Sequence, residues 1–258
     1  KYLYFLLKEL NMISKARTKF IKSLQVKKYR IEEQCFVVEG AKSVSELLSS
    51  DFEINCLVCT REFIASRRDD LDNRAEIIEV TEKELAGLGS FQSNESVIAI
   101  ARMKANKSFT LSPKEYGLML DDIRDPGNLG TIIRLADWYG IRNIVASEES
   151  ADFYNAKVIS ASMGSFCRVN VYYTSLINYR KEGPSTLYGT FLKGENVHRT
   201  KFGAGGFIVV GNEAHGISKP IEDLVDHRIS IPRLGGAESL NAAIATAIVL
   251  DNLRRSQE

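Results

Sequence analysis

Three segments in the C-terminal half constrain the fold most: DDIRDPGNLGTIIRLADWYGI (121–141), FIVVGNEAHGIS (207–218) and IPRLGGAESLNAAIATAIVL (231–250). Each reads as an apolar strand, a tight turn of Gly, Asn or Pro carrying polar groups, and then a helix or a further turn. Three such turns in order predict one composite site at the ends of neighbouring strands, the edge at which open α/β sheets bind ligands. The chain around them alternates in the same way. Tyr116–Leu120, Asn143–Ala146, Cys167–Tyr172, Thr186–Leu192 and Gly206–Gly211 read as strands, and a last strand ends at Ile231. Helices fall at 128–139, near 154–161 and at about 241–255, where Ala242, Ala243, Ala245 and Ala247 permit close approach of a neighbour. Strands separated by helices predict an α/β fold with a largely parallel, covered sheet.

Upstream lies a second, smaller alternating unit. Residues 12–34 read as a basic helix with Ile13, Phe20, Ile21 and Leu24 on its apolar face. Cys35–Glu39 is a strand, followed by Gly40 and a helix to about Ser49, a strand at 54–60, a charged loop at 61–74 and a strand at Glu76–Val80. Thr81 and Glu84 have capping-box spacing, and Val97–Arg102 closes the unit as a strand. Residues 103–115 (MKANKSFTLSPKE) lack periodicity and read as a linker. The expected organisation is an N-terminal domain over 12–102, the linker, and a larger domain over 116–258. The first eleven residues, KYLYFLLKELN, are too short and too charged to span a membrane. They read as a leader extension or as residues foreign to the natural chain, with Met12 a plausible start.

A length of 258 residues accommodates two domains, each with its own core. The net charge of +1 conceals an uneven distribution: residues 1–30 hold nine Lys or Arg against the single acid Glu9. That pattern fits either a polyanion-binding arm or a solvated helix face. Cys35, Cys56, Cys59 and Cys167 sit in apolar surroundings. Cys56 and Cys59 have metal-like spacing, but no second pair or nearby His completes a zinc site, so buried thiols in a reducing cytoplasm are expected and no metal.

In the first motif, Asp125-Pro126-Gly127 makes a sharp turn and Asn128 stands where a helix could begin, either as its cap or as a site residue. Arg134, among Ile132, Ile133 and Leu135, calls for a salt-bridge partner or a ligand, and its planar fork of donors suits phosphate. In the second, Glu213 follows the strand end as a site carboxylate or a turn residue, and His215 is a general-base candidate set against an ordinary polar turn residue. In the third, Gly235-Gly236 makes a flexible loop, Ser239 could cap the last helix, and Asn241 could point into the crevice. No GxGxxG, GxxxxGK[ST] or GxSxG occurs in these loops, which weighs against a nucleotide-dependent oxidoreductase, P-loop phosphoryl transfer and an α/β-hydrolase triad.

The order D-P-x-N-x-G-x-x-x-R, G-N-E-x-x-G and I-P-x-x-G-x-x-x-S-L-N over about 116–255 resembles the three signature motifs of the SpoU/TrmH class of the SPOUT methyltransferases. FVVEGAKSVSELL (36–48) resembles the opening of that class's RNA substrate-binding domain. The resemblance implies a C-terminal domain tied in a deep trefoil knot, a homodimer through that domain, and methyl transfer from S-adenosylmethionine to a ribose 2′-hydroxyl of rRNA or tRNA, with rRNA favoured by the two-domain layout. It implies no membrane and a cytoplasmic location. On that pattern Gly211, Ile231 and Leu240 contact the cofactor, and Asn128, Arg134, Glu213, Ser239 and Asn241 form the polar active site. Arg134 is then the group that activates the hydroxyl, Asn128 and Asn241 orient groups, and Glu213 holds the loop or Arg134. Arg233 stands where many members carry Met. The alternative is a catalytically silent RNA-binding protein of the same fold; the presence of Arg134 and Asn241 weighs against it.

Overall fold

The computed structural model describes residues 13–67, 71, 75–89, 96–183 and 185–257. The leader reading for 1–11 and the start at Met12 lie outside them. The described chain divides into two compact units: one runs to Lys104 and also takes in Tyr154–Cys167, and the other comprises Ala105–Phe153 and Arg168–Glu258.

The first unit opens with two helices, α1 (Lys15–Ser23) and α2 (Lys27–Glu33), where the sequence suggested one. The break has a physical cause. Val26 is extended (φ −97°, ψ 128°), and the buried Arg30 donates through Nη1 to the carbonyls of Leu24 (2.8 Å) and Gln25 (2.9 Å), which the broken helix leaves unpaired. Arg30 therefore belongs to the interior and not to a basic arm. The unit continues with β1 (Cys35–Glu39), α3 (Ala41–Leu48), β2 (Ile54–Cys59), α4 (Arg61–Ser66), β3 (Glu76–Glu79), α5 (Glu82–Ala86) and β4 (Val97–Arg102). Helix α4 occupies part of the expected 61–74 loop, because Thr60 Oγ1 accepts from the Phe63 amide and Phe63 buries its ring. The Thr81–Glu84 capping box forms in both directions. The sheet order is β1-β4-β2-β3, with β4 antiparallel to both its neighbours and β2 parallel to β3. The uninterrupted run Val97-Ile98-Ala99-Ile100-Ala101 is buried on both faces, as the middle position of β4 requires.

The second unit contains β5 (Tyr116–Asp121), α6 (Pro126–Trp138) and β6 (Asn143–Ala146). Helix α7 (Ala156–Ser162) follows in the chain but packs in the first unit, where Tyr154 and Phe166 flank Phe36 at ring-centroid distances of 4.7 and 6.2 Å. A short 3-10 turn over Ser165–Cys167 precedes β7 (Asn170–Tyr173), so the expected strand begins three residues later. Then come α8 (Leu176–Glu182), β8 (Leu187–Asn196), β9 (Gly206–Gly211), α9 (Lys219–Glu222), β10 (His227–Ser230) and α10 (Ala242–Arg255). The six strands run in the order β10-β8-β9-β5-β6-β7, and every pairing is parallel. Most of the expected linker is ordered against this unit: Asn106 exchanges hydrogen bonds with the Tyr173 backbone at 2.8 and 2.9 Å, and Tyr179 Oη donates to the Phe109 carbonyl at 2.8 Å.

Candidate active site

The chain leaves β5 towards β6 and β7 on one side and fills β9, β8 and β10 on the other, so the strand order reverses between β5 and β9. Their last residues, Asp121 and Gly211, are register partners. The first two motifs thus begin side by side at a topological switch point, where the crevice of an open parallel sheet lies. The third motif does not start on a neighbouring strand. It leaves the edge strand β10 and reaches the crevice only through the loop 231–241, which ends at the first turn of α10, a helix packed on α6.

Helix α6 is capped by Asp125, whose Oδ1 accepts from the Asn128 amide at 2.8 Å, with Pro126 in the first turn. Asn128 is therefore not the cap, and its side chain is free for other work. Its Nδ2 donates to Glu213 Oε1 at 2.5 Å, and its Oδ1 accepts from Asn241 Nδ2 at 2.8 Å. Asn241, not Ser239, caps α10: its Oδ1 accepts from the amides of Ala243 (2.9 Å) and Ile244 (3.2 Å). One residue from each motif thus joins a single chain of hydrogen bonds, Asn241 to Asn128 to Glu213.

Arg134 lies on the exposed side of α6, while Leu129, Ile132, Ile133 and Ala136 form its buried face. The expectation that its apolar neighbours demand a partner fails on helical geometry, since those side chains face away from it. Its guanidinium makes no ion pair or hydrogen bond with a described residue, and Glu213 engages Asn128 instead. Arg134 is a fixed positive charge open to an incoming anion.

Gly211 ends β9 where the chain doubles back; a Cβ there would fall on the backbone of Gly216 and Ile217. Asn212 closes that turn: its N–H and C=O pair with Gly216 at 3.0 and 2.9 Å, and its Oδ1 accepts from the amides of Ala214 and His215. Its Nδ2 reaches back to the first motif, donating to the Asp122 carbonyl at 2.8 Å and to Asp122 Oδ2 at 3.2 Å. Asp122 is itself in the left-handed region (φ +61°), with its amide held by Ser147 Oγ and its Oδ1 by Arg124 Nε. Asp121 Oδ2 accepts from the Ser218 amide at 2.7 Å and so pins the far side of the same turn. The motif reading missed Asp121, Asp122 and Asn212. Two acids directly after an apolar strand and an Asn at the next strand end were the available signs.

The loop between β10 and α10 is exposed, and residues 232–240 make no backbone–backbone hydrogen bond with a described residue. Leu234 is fully exposed and Leu240 nearly half exposed, while Ile231 is half-buried. Ser239 is exposed and has no side-chain partner among the described residues. The structure brings Asn128, Glu213 and Asn241 together and leaves Ser239 and Arg134 exposed and outside that chain of hydrogen bonds, without a partner among the described residues. His215 is exposed in its turn. Unpaired backbone groups, two open leucines and a glycine-lined turn fit a nucleoside held through main-chain and apolar contacts. Among the described residues no cluster of three His, Cys, Asp or Glu is placed to hold a metal.

Comparison with known proteins agrees with this architecture. Residues 115–251 match the SpoU rRNA Methylase family and residues 15–99 match the MRM3-like substrate binding domain. The 23S rRNA (guanosine(2553)-2′-O)-methyltransferase RlmP of Bacillus subtilis is 28% identical over 96% of this chain and 100% of its own length. The 23S rRNA (uridine(2479)-2′-O)-methyltransferase of Streptomyces viridochromogenes is 30% identical, over 85% of this chain and 83% of its own. Among solved structures, the SpoU methyltransferase AviRb of S. viridochromogenes in complex with AdoMet superposes with a TM-score of 0.85 at 26% identity, covering 95% of this chain and 98% of that one. An AdoMet-bound rRNA methyltransferase of Sinorhizobium meliloti gives 0.85 at 28%, covering 94% and 95%.

Proposed function

The chain belongs to the SpoU rRNA methylase family, and we propose that it methylates a ribose 2′-hydroxyl of rRNA with S-adenosylmethionine as methyl donor. The observation that carries this reading is the hydrogen-bond chain Asn241–Asn128–Glu213, which gathers all three motifs at the switch point. Relatives along nearly the whole chain are named 23S rRNA 2′-O-methyltransferases, which supports rRNA over tRNA.

Gly211, Ile231 and Leu240 would hold the methyl donor through the glycine turn and the exposed main chain of the loop before α10. S-adenosylmethionine supplies the electrophilic methyl group on a sulfonium. Arg134 binds the phosphate beside the target ribose through its guanidinium donors and lowers the cost of the oxyanion that develops as the hydroxyl passes its proton to that phosphate and its oxygen attacks the methyl group. Asn128, locked between Asn241 and Glu213, holds a fixed donor and acceptor pattern against the crevice, and Ser239 contributes a hydroxyl from the exposed loop before α10. Positioning of two reactants carries much of such a reaction.

The 12–102 domain would bind RNA, supported by its match to a substrate-binding domain. The return of the 231–241 loop from an edge strand to a helix packed on α6 supports a trefoil knot in the 116–258 domain. A homodimer through that domain is supported by Trp138 on α6 and Ile244 on α10, exposed by 82% and 53%. A cytoplasmic site of action fits four free cysteines; no described helix is long and apolar enough to cross a membrane. Calorimetric titration with S-adenosylmethionine, followed by mapping of ribose methylation in 23S rRNA with and without the gene, tests the reading. Failure to bind the methyl donor, or an unchanged methylation map, overturns it.

A further inference from the structure

Helix α1 puts lysine where its own stability disfavours it. Ser14 caps the helix, Lys15 is its first residue, and neither the first turn of α1 nor that of α2 holds an acid. The helix dipole is positive at that end, so a lysine there is unfavourable. Lys15, Lys19 and Lys22 follow at spacings of four and three, within about 60° of the helix circumference, and adjacent like charges at those spacings repel. All three are exposed, and none has an ion-pair partner among the described residues. The dipole explains Lys22 in the last turn and leaves Lys15 and Lys19 unexplained. Arg17, on another face, pairs with Glu76 at 2.7 Å, and Arg30 is buried, so neither belongs to the stripe.

The apolar side of α1 is already occupied: Ile21 and Leu24 are buried in the core with Val37, Val58 and Ile100. A membrane-surface helix needs that side free, so a lipid surface does not fit. Lysine rather than arginine presents point charges, which suit a phosphodiester backbone better than base edges read in bidentate fashion. Resting on the methyltransferase reading, we propose that Lys15, Lys19 and Lys22 form a rail that contacts the phosphate backbone of the substrate RNA without reading its sequence.

The test measures affinity of the full chain for a labelled RNA hairpin and a labelled oligouridylate across a salt series. Each lysine lost from a phosphate contact lowers the slope of log K against log salt by about 0.7–0.9. The triple variant Lys15→Gln, Lys19→Gln, Lys22→Gln should therefore reduce the slope by about 2–3 on both RNAs, with S-adenosylmethionine affinity unchanged and a melting temperature equal to or above that of the wild type, since the variant relieves the dipole and like-charge penalties. A charge-matched control outside the 12–102 domain, Lys181→Gln, Lys193→Gln, Lys219→Gln, all exposed, should keep the wild-type slope. An unchanged slope in the first variant overturns the rail, as does an equal fall in the control. The single variant Lys15→Gln, with an expected fall of about 0.7–0.9, reads the same quantity with minimal disturbance of the helix. Intact binding of S-adenosylmethionine with an unchanged slope would reject the rail and leave the methyltransferase reading standing.

Discussion

Asn241 donates through Nδ2 to Asn128 Oδ1 at 2.8 Å, joining two residues 113 positions apart in sequence. The direction of this bond follows from the helix it caps. Asn241 Oδ1 is taken by two α10 amides, so only its NH₂ can face Asn128. Asn128 must then accept through Oδ1 and donate through Nδ2, and Glu213 is the acceptor it meets. A capping requirement at one helix thereby fixes the amide orientation at another.

Reversing one link should break the chain. Asn128→Asp replaces a donor with a second carboxylate facing Glu213, whereas Glu213→Gln keeps an acceptor in place. A hydrogen bond to a charged group is worth about 1.5–3 kcal/mol, so Asn128→Asp should lower kcat/KM by about 10- to 150-fold. Glu213→Gln should cost less. Steady-state methyl transfer on rRNA measures both, and equal losses would mean that donor direction is irrelevant.

Arg134 offers a cleaner separation of chemistry from stability. Because it is exposed and unpaired among the described residues, Arg134→Ala should change folding stability by about 0.5 kcal/mol or less. Methyl transfer should fall by at least about 100-fold, the scale of losing one stabilising donor for a developing oxyanion. S-adenosylmethionine affinity should stay within a few fold. Thermal melts, calorimetry and turnover on the same preparation decide this; a large drop in melting temperature would reassign Arg134 to the fold.

At Gly211 the constraint is space. A Cβ would overlap the backbone at Gly216 and Ile217, which no side-chain rotation can relieve. Gly211→Ala should open the 211–217 turn and cost about 1–3 kcal/mol, in the range seen for overpacking. The loss should appear chiefly as weaker S-adenosylmethionine binding in calorimetry. Unaltered affinity would remove this turn from the cofactor site.

Asp122 combines strain with contact. At φ +61° a non-glycine residue is uncommon, yet this one holds Asn212 and Arg124. Asp122→Gly relieves the backbone but deletes the carboxylate, and Asp122→Ala deletes the carboxylate while keeping a Cβ. If the Asp122 side chain positions the second motif, both variants should raise KM for S-adenosylmethionine, and only Asp122→Ala should also lower the melting temperature.

Periodicity disclosed the strands of the second unit, because long buried runs such as Phe207–Val210 admit few other fates. It also located the Thr81 capping box and the three turns. It left Asn128 and Ser239 open between cap and site residue, and Asp125 and Asn241 prove to be the caps. Asn128 and Ser239 each occupy a plausible first-helical position, and which neighbouring polar residue wins depends on contacts over 85 and 113 positions, invisible to a local pattern. The same limit hid the segment Tyr154–Cys167, whose local pattern fits the second unit but whose aromatic side chains pack in the first. Arg30 looked like one more basic-arm residue until the break at Val26 supplied carbonyls for it to serve.

The cysteines yield a pH prediction whose sign can be fixed. Burial pushes the Cys59 thiol up to about 12 and the Cys56 thiol up to about 11, against an ordinary value of 9.0. Desolvation disfavours the thiolate, so the folded protein retains protons that the unfolded chain gives up. Stability is then fully present below pH 9 and falls as pH rises through the window from 9 to about 12. Denaturant midpoints measured from pH 8 upward should decline, and Cys59→Ala, though less stable at pH 8 from the cavity it leaves, should decline less steeply. Both thiols should resist alkylation at pH 8 until the protein unfolds. Parallel slopes for the variant and the wild type would show that alkaline unfolding begins elsewhere.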